Sequence, residues 1–553
     1  MAVIPAAFSP RESGEGIQRL LSHVIGSPLS YVNERVRQAV NVSPLGIAAA
    51  PLASPIPAQR CPVSSGQLLT ACRLAWEGGG QLVTLWGSDE RDRERGFCLR
   101  VLLGDADGLT LLEHTLPDGE ARYPDLSPIF PAANRMQRAN FDILGVQCDA
   151  DDQRPWLWQA AWPIDQFPLR HDFEVSPKWE PGEEDYPFVR VSGDGVHEIA
   201  VGPVHAGIIE PGHFRFQVVG EKVLRLEERL GYVHKGIEKR FETLALADGY
   251  RLAGRVSGDS TVAYAWAYAQ AAEAIAGLIV PPRAASLRAL CLERERIANH
   301  LGDLGYLGND GGFAFGLSQF SRLKEDVLRL NAQVFGHRFL MDVVVPGGVA
   351  GDLASDEAGA MRRQCRELAR EVRVLRGIYD EHAGLQDRFR SCGQVSRELA
   401  LKLGITGLPA RASGVPNDLR CDFPVVPYAA LDVRRATRED GDVAARVAVR
   451  FDEVFESLRL IEALLDALPE GDVATSFPLA PADRFALGIV EAWRGPLVIA
   501  LESGPEGAIR RCHPHDPSWQ NWPVLEHAVI GNIVPDFPLI NKSFNLSYSG
   551  HDL

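Results

Sequence analysis

The chain lacks closely spaced cysteines. Its nine, at positions 61, 72, 98, 148, 291, 365, 392, 421 and 512, are scattered with no two within four residues of each other. No CxxC pair therefore exists to chelate an iron-sulfur cluster or zinc, or to cycle as a dithiol. An odd number of isolated thiols is the pattern of reduced, buried cysteines in a reducing compartment. Long hydrophobic runs are missing too: there is no stretch of eighteen apolar residues, and the opening MAVIPAAFSPRESGEG has no basic region followed by an apolar core. Neither a membrane span nor a secretory signal is expected, and the chain reads as cytoplasmic, meeting a membrane only through partners. Positive charge is in deficit, with a formal net charge of -16, which argues against nucleic acid and anionic lipid as direct partners. What is present is ordinary globular material: 553 residues, 46% hydrophobic and 24% charged, enough for two or more domains.

A first domain is expected over residues 1–172. It opens on a helical pattern, GEGIQRLLSHV, and an Ala/Pro-rich turn region, then QLVTLWGSD, FCLRVLLGD and GLTLLEHTL read as strands bounded by Gly or Asp. It carries no catalytic constellation, so docking is its expected work. Residues 173–188, EVSPKWEPGEEDYP and its flanks, read as an exposed crossover. A second domain follows over 189–553. HFRFQVV and KVLRL flank a Gly-Glu turn and predict a small antiparallel hairpin. Four long stretches with apolar residues at helical spacing, the first being Ser286–Leu307, predict a helical bundle. Within the first, Glu293, Glu295 and His300 are candidate proton-relay groups, although the interleaved charge favours a solvated, salt-bridged face for the two glutamates. The last hundred residues return to strands at EAWRGPLVIALES and end through a short helix. His513-Pro-His515-Asp516 is not read as a metal site, because histidines flanking a proline point apart and no third ligand is spaced to help; a loop facing a partner is expected there. The fold class is α+β.

Two segments inside Arg225–Glu273 carry the chemistry: GYVHKGIEKRFE, Gly231–Glu242, and RVSGDS, Arg255–Ser260. They resemble the catalytic large subunit of membrane-bound, energy-converting nickel-iron hydrogenases of the formate hydrogenlyase and hydrogenase-four type, and the homologous forty-nine-kilodalton quinone-site subunit of respiratory complex I. Further matching segments are the Glu-Arg-Ile-Ala-Asn-His helix, the loop LGITGLPARASGVPNDLRCDFP with Arg411 and Asp418, and EAWRG with Arg494. In the first domain, PAANRMQRANFDILG keeps Arg138, Asp142 and Gly145 of a frame similar to the thirty-kilodalton subunit of complex I. The resemblance implies an N-terminal α/β domain of that smaller-subunit type followed by a mainly helical domain with small β elements.

In the hydrogenases the second segment reads Arg-x-Cys-Gly-x-Cys, and a C-terminal Asp-Pro-Cys-x-x-Cys supplies the other two metal thiolates. Here Ser257 and Ser260 hold the first pair of positions, and Ser547 and Gly550 the second. A serine hydroxyl keeps its proton near neutral pH and cannot replace a soft thiolate. The chain thus looks like a hydrogenase large subunit without its metal. The quinone-site tyrosine of complex I aligns on Gly258, so that site is incomplete as well. By resemblance, Glu238 is the chamber acid, with burial expected to raise its pKa toward working pH beside His234 and an arginine. Arg494 hangs over the former metal position, Arg411 lies near the chamber, and His205 or His213 lines it. No cofactor is expected on the chain itself. An iron-sulfur cluster is expected in a small subunit similar to the twenty-kilodalton subunit of complex I, with a quinone as possible acceptor. A ferredoxin-like subunit and antiporter-like membrane subunits complete the implied complex, on the cytoplasmic side of the inner membrane. A non-catalytic scaffold is the alternative. Hydrogenases of this type usually lose a C-terminal extension after nickel insertion, whereas this chain stops three residues beyond Gly550, so Leu553 is expected to stay in place.

Overall fold

The computed structural model describes residues 46–553 apart from 164, 175–178, 181, 183–185 and 206–208. The helix expected over GEGIQRLLSHV lies outside the described residues, as do parts of the expected crossover and of the loop after His205.

The N-terminal sheet is built by period-two alternation. Strands β1 (Ala50–Pro51), β2 (Ala58–Pro62), β3 (Gln81–Asp89), β4 (Phe97–Asp105) and β5 (Gly108–Leu116) lie in the order β1-β2-β5-β4-β3. All neighbours are antiparallel except β2 and β5. The three runs expected as strands are β3, β4 and β5. Leu99, Val101 and Leu103 of β4 join Leu68, Ala71 and Cys72 of α1 (Ser65–Glu77) in one core, whereas Leu102 joins a second core on the other face. Successive side chains of a strand point to opposite faces, so a strand covered on both sides reads as almost continuously apolar. Helix α2 (Ala133–Leu144) then uses Asp142, whose Oδ2 accepts the backbone N–H groups of Trp156 at 2.7 Å, Leu157 at 2.7 Å and Trp158 at 3.2 Å. Ala132 and Ala133 are 5% and 0% exposed. Both alanines of the Pro-Ala-Ala-Asn segment are thus packed inside this chain.

The expected hairpin is present. Strands β6 (Val196–Val201), β7 (His213–Val219) and β8 (Lys222–Arg229) form an antiparallel sheet, with Lys222 opposite Val219 across the turn. A short helix α3 (Ile237–Phe241) leads to α4 (Thr261–Ala276), which is buried along nearly its whole length, as a helix apolar all round must be. The bundle consists of α5 (Pro282–Asp310), α6 (Ala314–Phe335), α7 (Ser355–Glu381), the short α8 (Gly407–Ala412) and α9 (Val443–Asp466). Helix α5 packs on both α6 and α9. Strands β9 (Phe485–Glu491), β10 (Pro496–Ser503) and β11 (Ile509–His515) make a third antiparallel sheet, followed by α10 (Ser518–Ala528) and α11 (Tyr548–Asp552).

That last sheet joins the two halves of the chain. Leu487, Ile489, Val498 and Ala500 pack on Trp86, Leu102, Leu109 and Leu111 of the N-terminal sheet, while α4 covers the opposite side. Two sequence expectations are corrected by this packing. Glu293 and Glu295 are 0% and 6% exposed, because α5 is enclosed by neighbours on all sides and its charges find partners inside. His513, His515 and Asp516 are also buried: the segment is the end of β11 and the turn after it, not a partner-facing loop. All nine cysteines are free and seven are buried. Among the described residues no helix is long and apolar enough to cross a membrane.

Candidate functional site

The chamber lies where α4 begins. Three of the four ligand positions meet there as a directed hydrogen-bond chain. Ser257 Oγ donates to Asp259 Oδ1 at 2.8 Å, since a carboxylate can only accept. Ser547 Oγ lies 2.9 Å from Ser257 Oγ and is therefore the donor between them. Gly550 N–H then donates to Ser547 Oγ at 2.8 Å. Ser260 Oγ accepts from Trp493 Nε1 at 3.1 Å and from Arg494 Nη1 at 3.2 Å.

Arg494 fills the space between these groups. Its Nη1 and Nη2 donate to Asp259 Oδ1 and Oδ2 at 2.9 and 2.6 Å, and its Nε donates to Asn545 O at 2.6 Å. The guanidinium lies 3.9 Å from the centre of the Trp493 ring, stacked in a cation–π contact. Burial pushes the Asp259 carboxyl up, but the Arg494 guanidinium outweighs it and holds the group below its ordinary range. The pair is not sealed: the Asp259 side chain keeps 38% of its surface, and Gly258 is exposed. Below it, Tyr264 Oη donates to Asp516 Oδ2 at 2.9 Å.

Nickel and iron do not fit these residues. Hydroxyls committed to one another and to Asp259 replace the thiolates, and a Cβ on Gly550 would lie 2.6 Å from Asp516 Oδ2. Among the described residues no group of three or more His, Cys, Asp or Glu side chains is placed to hold a metal ion.

A second cluster lies behind the chamber. Glu453 Oε1 accepts Arg411 Nη2 at 2.7 Å, and Glu453 Oε2 lies 2.8 Å from His300 Nε2. Arg411 also donates to Glu491 Oε1 at 2.8 Å. Arg420 bridges Asp418 and Glu293 at 2.8 and 3.1 Å, and Arg296 donates to the Glu293 carboxylate at 3.3 Å. Arg411 is thus behind the chamber wall and not at its mouth.

Glu238 occupies a third, separate place. Its Oε1 accepts Arg511 Nη2 at 2.8 Å and His513 Nδ1 at 2.7 Å, and the other nitrogen of His513 meets Thr84 Oγ1 of β3 at 2.9 Å. Burial pushes the carboxyl up, as expected from the sequence, but Arg511 and His513 together outweigh it and the pKa is lowered to about 2. The expected rise is therefore reversed; the arginine beside it is Arg511, and the histidine is His513 rather than His234. His234 instead hydrogen-bonds Asp552 O at 2.7 Å and stacks on Trp162. His205 and His213 approach backbone carbonyls of Pro203 and Gly202 at 3.3 and 3.4 Å. Their loop does reach α11, through Glu210, whose Oε2 accepts Ser549 N–H at 3.0 Å. Sequence reading missed Asp259, Glu453 and Glu491; Asp259 had a local signal as the one charged residue between the two serines of RVSGDS, and Glu491 as the first residue of EAWRG, whereas Glu453 had none.

Comparisons with known proteins agree with this architecture. The model of the respiratory-chain NADH dehydrogenase 30 kDa subunit matches residues 61–178, and that of the 49 kDa subunit matches 310–486. Formate hydrogenlyase subunit 5 of Escherichia coli (strain K12) is 32% identical over 492 residues, covering 87% of this chain and 86% of the relative. Hydrogenase-4 component G of the same organism is 32% identical over 490 residues, covering 87% and 85%. A chain of the membrane-bound sulfane sulfur reductase, an archaeal respiratory membrane complex, superposes with a TM-score of 0.62 at 27% identity, covering 65% of this chain and 99% of that one. Fold and matches together define a fusion of these two complex I subunit types in one chain. The chain belongs to the family of hydrogenase and complex I large subunits that includes formate hydrogenlyase subunit 5 and hydrogenase-4 component G.

Proposed function

We propose that this chain is the hydrophilic-arm large subunit of a membrane-bound, complex I-like oxidoreductase complex, working beside an iron-sulfur small subunit without nickel or iron of its own. In this reading it takes part in electron transfer to a quinone-like or other small acceptor, coupled to ion translocation by antiporter-like membrane partners. It is attached peripherally through those partners, with a ferredoxin-like subunit feeding the small subunit. The observation that supports it is the Arg494–Asp259 pair, a fixed charge held between the serines at a mouth where Gly258 and Asp259 remain open. A guanidinium so placed can receive the negative charge of a reduced acceptor, with Ser257 and Ser260 hydroxyls as neighbouring hydrogen-bond groups.

The closure of every serine and of Arg494 onto partners within the chain favours a second reading, a scaffold that holds the complex together. One experiment separates them. The chain is co-expressed with its small-subunit neighbour and the purified complex is assayed for reduction of a quinone analogue, in wild type and in Arg494→Met. The electron-transfer reading expects the complex to assemble in both and turnover to fall at least about tenfold in the variant. Unchanged turnover moves the chain to the scaffold reading, and a well-behaved monomer indifferent to the small subunit removes the complex altogether.

A further inference from the structure

The buried cluster behind the chamber does not balance its charge. Glu293, Asp418, Glu453 and Glu491 contribute four carboxylates; Arg296, Arg411 and Arg420 contribute three guanidiniums; none of the seven is more than 4% exposed. Neighbouring charges are matched, Arg450 with Asp303 at 2.9 Å, Arg494 with Asp259 at 2.6 Å and Arg435 with Asp422, apart from Glu295 on the same helix, whose carboxyl accepts the Val262 and Ala263 backbone N–H groups and is pushed up to about 8 by burial, so that it holds its own proton. A buried, uncompensated charge costs several kcal/mol, so the cluster must keep one proton beyond ordinary ionisation. His300 and Glu491 are the two seats for it.

Donor placement distinguishes them. Glu293 is met by Tyr428 at 2.6 Å, Ser457 at 2.5 Å, Arg420 and Arg296. Asp418 takes the fork of Arg420, and Glu453 takes two N–H groups of Arg411 plus His300. Glu491 is left with one Arg411 N–H on Oε1 and the Leu419 backbone N–H at 3.2 Å on Oε2. His300 is 0% exposed and faces Arg296 and Arg450. Burial lowers its pKa despite Glu453, so it stays neutral, with Nε2–H on Glu453 and Nδ1 without a hydrogen bond among the described residues. Burial and the Asp418 carboxylate push Glu491 up to about 7, against the pull of Arg411.

The path to the chamber is short in the chain. Residues 491–494 run from the cluster to the ion pair, with Arg296 donating to Glu491 O at 2.7 Å and Ala492 O at 3.0 Å, and Trp493 Nε1 donating to Asp259 O at 2.9 Å. We propose that Glu491 is a proton-holding group of this arm, whose carboxyl takes up or releases one proton as the charge in the Asp259–Arg494 chamber changes. Uptake adds a solvent proton to the carboxylate, giving the neutral acid; release is the reverse. That the chamber charge changes during turnover rests on the electron-transfer reading, but the linkage itself exists at rest.

The test is infrared difference spectroscopy of the purified complex across neutral pH. Wild type is expected to show the carbonyl band of a protonated carboxylic acid fading with a midpoint near about pH 7, and Glu491→Gln to lack that component. Glu491→Gln mimics the neutral acid and should fold; Glu295, pushed up to about 8 by burial, gives a second component at higher pH, which Glu295→Gln should remove while leaving the Glu491 component in place. Asp259→Asn adds positive charge to the chamber and should move the midpoint down, whereas Arg494→Met should move it up. An unaltered band in Glu491→Gln, no titrating band in wild type, or a midpoint that ignores both chamber variants overturns the proposal. Absence of acceptor reduction in a complex that passes these tests defeats only the electron-transfer reading.

Discussion

Removal of the Arg411 guanidinium is the sharpest perturbation of the core. The side chain is 0% exposed and donates to Glu453 through Nε and Nη2 and to Glu491 through Nη1. Arg411→Met preserves apolar bulk and leaves two carboxylates behind. Their fates differ. Glu491, already pushed up to about 7 by burial and Asp418, can take a proton and become neutral. Glu453 is held well below its ordinary value, burial being outweighed by Arg411 with help from His300, and loses its principal partner. One buried pair is thus broken rather than two, which costs about 3–5 kcal/mol, a large share of the roughly 5–15 kcal/mol that holds a typical domain together. Pulse proteolysis of the purified complex in a urea series measures the loss. Adding Glu453→Gln to Arg411→Met should recover most of it, because the stranded charge is then gone. A loss below about 1 kcal/mol, the size of an exposed pair, or a double variant no better than the single one, would refute the account of the cluster.

Four further outcomes follow from the same geometry. The purified complex should show no nickel or iron at the chamber of this subunit by elemental analysis of the separated chain, and no hydrogen uptake with an artificial acceptor. Restoring cysteines at Ser257, Ser260, Ser547 and Gly550 together should still not bind nickel, since a side chain at Gly550 would collide with Asp516 Oδ2 at 2.6 Å; stoichiometric nickel in that variant would contradict the packing described. Glu238 has its folded pKa lowered from 4.5 to about 2 by Arg511 and His513 against burial, so its contribution is present above the unfolded pKa and is lost as pH falls through the folded one. Glu238→Gln should accordingly cost at most about 3 kcal/mol at neutral pH, with the gap to wild type closing in acid, as urea titrations at several pH values would show. Gly407 has φ +64°, and an added Cβ would lie 1.8 Å from Arg494 O; Gly407→Ala should destabilise by about 1–3 kcal/mol, measurable by thermal unfolding, and under the electron-transfer reading acceptor reduction should fall with it.

The sequence alone determined the elements whose signals are local. Alternation marked β3, β4 and β5, helical spacing marked the long bundle helices, and a Gly-Glu turn marked the β7–β8 hairpin. The missing thiolates were equally legible, because a ligand's chemistry is a property of the residue and Ser257, Ser260, Ser547 and Gly550 could be read directly. What only the tertiary structure decided is the state of each charge. Glu293 sits on a helix whose pattern reads as solvated, yet Ser457 of α9, Tyr428 and Arg420 enclose it, and periodicity cannot count how many neighbours a helix will have. Glu238 was identified as a buried acid, but the sign of its pKa shift depends on Arg511, which lies 273 positions away in the chain and 2.8 Å away in space. The serines could be named as vacated positions, whereas their closure around Arg494 and Asp259 needed α4, β9 and the C-terminal segment brought to one point. Electrostatic energies fall off with distance in space and with solvent access, and neither quantity is written along a sequence.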